Sequence, residues 1–123
     1  MIGLRLCQPQ GCYLPSMEFQ CRWHVERISL DQVDRLEASV LWYTEGKGET
    51  DLGVAAFQRL DRDAVLRASG RGFLQTQLPA SPLSYEGRLL RVRWCVRLRL
   101  FLLDGREIVA QQPFYLGALT RDV

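Results

Sequence analysis

No apolar run in this sequence exceeds four residues, Leu100 to Leu103, where a membrane-spanning helix needs about 20. Membrane insertion is therefore not expected. The opening, MIGLRLC, has neither the length nor the apolar core of an export signal. Lysine is nearly absent: Lys47 is the only one among 16 basic residues, the other 15 being arginine. That skew fits a GC-rich bacterial source, and it supplies planar forks that pair with carboxylates and phosphates in two places at once. There is one histidine, His24, and no CxxC. The four cysteines, Cys7, Cys12, Cys21 and Cys95, follow no disulfide framework and are expected to be reduced thiols in a cytoplasmic protein.

What is present is an ordinary globular composition. The 123 residues are 47% hydrophobic and 24% charged, which excludes disorder and low-complexity classes and suits a single domain over 1–123. The net charge of +2 covers an asymmetry. Residues 1–61 hold six basic and nine acidic side chains, and residues 62–123 hold ten and five. This bias falls well short of a nucleic-acid-binding tail, and no nucleic-acid partner is expected.

Alternation of period two dominates, and period 3.6 is nearly absent. Strands are expected over 2–7, 17–26, 35–44, 52–60, 71–78, 88–103 and 106–116. A loop passes through Pro9, Gly11 and Pro15, and Glu45-Gly46-Lys47-Gly48-Glu49 forms a polar turn. One or two helical turns fit 61–69, with Asp61 as cap and Gly70 as stop. Asp104-Gly105 is a two-residue hairpin signal that asks for positive φ at both positions. About seven strands with regular turns predict an all-β, antiparallel β-sandwich. Trp23, Trp42 and Trp94 fall at core parity in their strands, and Tyr43 and Phe101 at outward parity.

The spacing of Cys7, Cys12, Cys21 and His24 resembles a zinc ligand set. Residues 17–26 alternate, however, with Met17, Phe19, Cys21, Trp23 and Val25 on one face and His24 on the other. Two side chains on opposite faces of a strand cannot share an ion, so no metal is expected. Any Ser-His-Asp or Cys-His site would rest on His24 alone, which reads better as a solvated side chain. Gly46-Lys47-Gly48-Glu49-Thr50 lacks the spacing and the following helix of a phosphate loop. Asp61 and Asp63 read as a cap and its solvated neighbour. No cofactor and no enzymatic activity are expected.

The long strand carries the clearest pattern. Leu90, Val92, Trp94, Val96, Leu98, Leu100 and Leu102 share one parity; Arg91, Arg93, Cys95, Arg97 and Arg99 share the other. One face is a core stripe. The other is a ladder of four arginines about 26 Å long. Two readings stand side by side: a solvated face paired with carboxylates such as Glu18, Glu26 and Glu37, or an anion-binding stripe for phosphate groups, acidic peptides or anionic lipid. Arg91, Arg93, Arg97 and Arg99 are the candidate partner- or anion-binding residues.

Residues 73–79 read FLQTQLP and 82–87 PLSYEG; then come Leu90-Arg91-Val92-Arg93-Trp94-Cys95-Val96 and Pro113-Phe114-Tyr115-Leu116-Gly117. This stretch resembles the arrestin-like domain: a strand ending in Leu-Pro, a Pro-x-Ser-Tyr-x-Gly corner, a long strand with Trp and a closing Phe-x-Leu-Gly. The resemblance implies an immunoglobulin-like β-sandwich used as an adaptor or scaffold that binds a protein partner through a sheet face or edge. The alternative is a structural subunit that forms homo-oligomers through an edge strand. Members usually carry two such domains in tandem, and this chain has room for one. From the residues themselves, Pro79 and Pro82 stop the preceding strand, Gly87 is expected at positive φ, and Tyr85 is expected to pack over the corner and bond backbone through its hydroxyl.

Overall fold

The computed structural model describes residues 2–8, 10–48 and 50–117; Pro9 and Glu49, two of the expected loop residues, lie outside them. Nine strands form two sheets. They are β1 (Ile2–Leu6), β2 (Cys12–Tyr13), β3 (Glu18–Val25), β4 (Val33–Gly46), β5 (Leu52–Asp61), β6 (Arg71–Gln77), β7 (Tyr85–Glu86), β8 (Leu90–Leu102) and β9 (Glu107–Leu116). Seven of the nine have five or more residues, which are the seven expected from the alternation. The sequence reading missed β2 and β7, whose two residues are too short to show a period. No described helix is long and apolar enough to cross a membrane.

One sheet has the order β1-β3-β6; the other runs β2-β9-β8-β4-β5, with β7 beside β8. All pairings are antiparallel except β2 with β9. The alternation explains the layering. Phe19, Cys21, Trp23 and Val25 of β3 face Trp94, Val96, Leu98 and Leu100 of β8 and Leu36, Ala38 and Val40 of β4 across a buried core. Burying one such large side chain contributes about 1.5–3 kcal/mol. At one end, Tyr13, Phe19, Phe114 and Trp94 stack in series with ring centroids 4.8–5.8 Å apart.

Among the described residues the one α-helix, α1 (Arg62–Arg67), begins where expected: Asp61 accepts a hydrogen bond from the Ala64 N–H at 2.9 Å. It ends at Gly70 with φ 78°, and Val65 plugs the core.

Three local expectations are corrected. The hairpin between β8 and β9 spans three residues, Leu103 to Gly105. The Gly105 N–H bonds the Leu102 carbonyl, and the Leu102 N–H bonds the Arg106 carbonyl. Only Gly105 has positive φ (92°), so this is a turn closed by a bulge and not the two-residue type. Gly87 is not among the positive-φ residues; its requirement is space, since a Cβ there would lie 2.3 Å from the Tyr85 ring and 2.8 Å from the Leu90 carbonyl oxygen. Tyr85 does lie against Gly87, but it is 57% exposed, and among the described residues its hydroxyl bonds nothing.

Candidate interaction surface

β8 lies between β4 and β9 at the centre of the larger sheet, so its arginine face is framed by strands on both sides. The register places acids beside the arginines. Arg91 pairs with Glu86 at 2.8 Å. Arg93 pairs with Glu45 at 2.6 Å and approaches Glu86 at 3.7 Å. Arg99 bonds Glu107. Arg97 bonds the neutral Gln111 side chain at 3.0 Å. The guanidinium of Arg35 stacks on Phe101 at 3.8 Å while bonding Glu37 at 3.3 Å.

The electrostatics follow from these pairs. The bond to Glu45 raises the Arg93 pKa, and the bond to Glu107 raises that of Arg99. The same bond holds the Glu107 carboxyl below its ordinary range. Two of the acids expected as partners stand elsewhere: Glu18 bonds Gln75, and Glu26 faces His24, both on the smaller sheet. The reason is topological. β3 shares the alternation of the larger sheet but belongs to the other layer, so its outward residues face the opposite side of the sandwich.

Cys95, expected on a solvated face, is on the arginine face but only 1% exposed. Burial raises its thiol pKa, against the lowering effect of the Arg97 charge. Its register partners are Leu41 and Pro113, and Leu41 is buried too. Leu41 in turn pairs with Val54. An apolar row, Val54–Leu41–Cys95–Pro113, therefore crosses four strands on the outer side. The next row is Phe57–Ser39–Arg97–Gln111. On the other side stands Leu52–Tyr43–Arg93.

The rows end at β5, an edge strand. Leu52, Val54 and Phe57 are each more than half exposed. Their spacing breaks strict alternation because β5 carries a register shift opposite Val40/Leu41, a bulge that returns all three to one face. That break was the signal available in the sequence: the strand over 52–60 was legible, and its outward face and edge position were not.

The remaining candidates are dispersed. Cys21 is buried in the core, whereas His24 lies on the outer face of the smaller sheet with Nδ1 3.2 Å from Glu26. Asp61 is committed to its cap. The Lys47 N–H bonds the Leu89 carbonyl at 3.0 Å, and β5 follows that loop in place of a helix, so its amides do not converge on an anion.

No family model matches the sequence, and no curated protein matches it. Among solved structures, the chain is similar to the crystal structure of Spo0M, a sporulation control protein from Bacillus subtilis. The TM-score is 0.62 and the identity 14%, over 95% of this chain and 49% of that one. The chain thus spans about half the length of that protein. At this identity the likeness is one of fold: an arrestin-like, all-β sandwich.

Proposed function

We propose that this chain is a non-catalytic interaction domain, an adaptor in the cytoplasm, that binds a protein partner over the β5 edge and the adjoining outer face of the larger sheet. The observation that carries this reading is the set of exposed apolar side chains Leu52, Val54 and Phe57 on the β5 edge strand, backed by the buried Leu41 and Cys95 of the row Val54–Leu41–Cys95–Pro113. Natural sheets blunt such edges with charge, proline or a covering element. Here residues 52–58 contain no charge and no proline. Exposed apolar side chains beside arginine match the composition of protein interfaces. Arg97, bonded among the described residues to a neutral amide alone, is the ladder residue best placed to meet a partner acid; Arg91, Arg93 and Arg99 would have to exchange partners. The sporulation control attributed to Spo0M is compatible with a regulatory adaptor role.

A photo-crosslinking residue placed at Phe57 tests the reading, with one at Leu103, 59% exposed on the distant hairpin, as control. A specific adduct at 57, lost with Val54→Glu, is expected. Equal labelling at both positions would overturn the assignment. An adduct of twice the 14.2 kDa chain mass would make the partner a second copy, the homo-oligomer reading.

A further inference from the structure

On the opposite side of the sandwich, the outer face of β1-β3-β6 holds a second group of arginines in a different electrostatic state. Arg5 pairs in register with Arg22, and Arg22 with Phe73. One rung along, Gly3 pairs with His24, and His24 with Arg71. Strands lie about 4.8 Å apart and alternate residues about 6.6 Å apart, so three guanidinium side chains and one imidazole rise from a patch about 10 by 7 Å. They line an open groove of about 920 Å³, with the exposed ring of Phe73 at one end.

Like charges directly opposite one another destabilise a sheet. On the larger sheet this chain places an acid beside Arg91, Arg93 and Arg99. On the smaller sheet, among the described residues, no carboxylate lies within ion-pair distance of Arg5, Arg22 or Arg71. The one acid lining the groove, Glu26, faces His24. The contact seen for the Arg22 guanidinium is with the Phe73 ring, at 6.0 Å.

We infer that this groove is a binding site for a compact anion carrying two or more phosphate groups, held by Arg5, Arg22 and Arg71 with His24 at its floor. Three forks on three strands can each engage two oxygens, more than one phosphate presents in suitable directions. The ligand is bounded in length as well. Beyond Arg22, the same face continues as Gln20 and Gln75, then Glu18 and Gln77. The positive patch therefore stops after two rungs, too short for a nucleic-acid track. Gly3 leaves the floor bare: a Cβ there would find only the His24 carbonyl oxygen, at 3.8 Å.

Sodium tripolyphosphate, added at constant ionic strength, is the probe. It is expected to bind one to one and raise the melting temperature by several degrees, because ligation relieves the repulsion and favours the folded state. The double variant Arg22→Gln/Arg71→Gln is expected to bind at least about tenfold more weakly while keeping the native circular dichroism spectrum, and to melt no lower than wild type without ligand. Arg93→Gln/Arg97→Gln, on the other sheet, is expected to keep the response. No shift with tripolyphosphate, or an equal shift in the Arg22/Arg71 variant, would overturn the proposal. Phosphatidylcholine vesicles with and without cardiolipin distinguish the source. Binding only when cardiolipin is present, and competed by tripolyphosphate, assigns a lipid headgroup; tripolyphosphate binding with no vesicle binding assigns a free solute.

Discussion

The indole N–H of Trp94 donates a hydrogen bond to the carbonyl of Pro82 at 2.8 Å, tying the proline corner to β8, the central strand of the larger sheet. A second tie runs parallel to it. The Leu116 N–H bonds the Ser84 hydroxyl at 2.8 Å, and the Ser84 N–H bonds the Leu116 carbonyl at 2.7 Å. Three of the four sequence segments that resemble an arrestin-like domain, the corner, the long strand and the closing strand, are therefore one connected structure. The serine of the corner fastens the closing strand, and the tryptophan of the long strand fastens the corner.

Trp94 is 1% exposed and stacks near Phe114. Trp94→Ala is expected to cost about 3–5 kcal/mol through the lost ring and the cavity left behind. Trp94→Phe keeps most of the volume and loses the N–H, leaving the Pro82 carbonyl without its donor, at about 1–3 kcal/mol. Chemical denaturation of both variants checks the order. An alanine loss below about 1 kcal/mol would place the ring at the surface and reverse the parity of β8.

Much of this architecture was legible because each sheet buries one face, and burial on one side writes itself as period two. Trp94, Val96, Leu98 and Leu100 announce their face without any knowledge of neighbours. The cap at Asp61 and the stop at Gly70 are equally local. Pairing between strands is not local. Nothing in the order of residues says that Glu45 and Glu107 flank the arginine ladder, or that Arg5 meets Arg22. The candidate surfaces were obscured for that reason: they are rows across strands, whereas the sequence displays columns along them. Cys95 shows the same limit, since its outward parity was readable and its burial between Leu41 and Pro113 was not.

Gly72 faces Trp23 in register, and a Cβ there would lie 2.2 Å from the indole. Trp23 is 4% exposed and packed in the buried core. Gly72→Ala is expected to cost about 1–3 kcal/mol by overpacking. Combining it with Trp23→Phe should cost less than the sum of the two single changes, because the smaller ring makes room for the methyl group. Additive losses in a double-mutant cycle would show that the two residues do not press on each other.

The cysteines should divide by exposure. Cys7 is exposed and Cys12 half-buried. Burial pushes the Cys21 thiol up to about 12 and raises Cys95 as well. Since the thiolate is the nucleophile, a colorimetric thiol reagent at mildly alkaline pH should modify Cys7 first and Cys12 more slowly, with Cys21 and Cys95 reacting only after unfolding. Fast modification of Cys95 in the native protein would mean that the apolar row on the larger sheet is open to solvent.

Glu107 gives a prediction with a definite sign. The bond from Arg99 lowers its folded pKa below the ordinary value of 4.5. The folded state therefore holds this proton less tightly than the unfolded state does. The pair stabilises the fold above that ordinary value, and the benefit is lost as pH falls through the lowered folded value. Both side chains are substantially exposed, so the effect is small and weakens with added salt. Asp104 is lowered in the same way by its bonds from Arg106, so the fall in wild-type stability with acid cannot be assigned to one group. The difference between wild type and Glu107→Gln isolates it. That difference in melting temperature should be constant from pH 7 down to about 5, close progressively below 4.5, and shrink sharply at every pH when Arg99→Gln is the background, where only the weaker charge of Arg35 still acts on Glu107. A difference that persists at the acid end would show that Glu107 acts through packing and not through its charge.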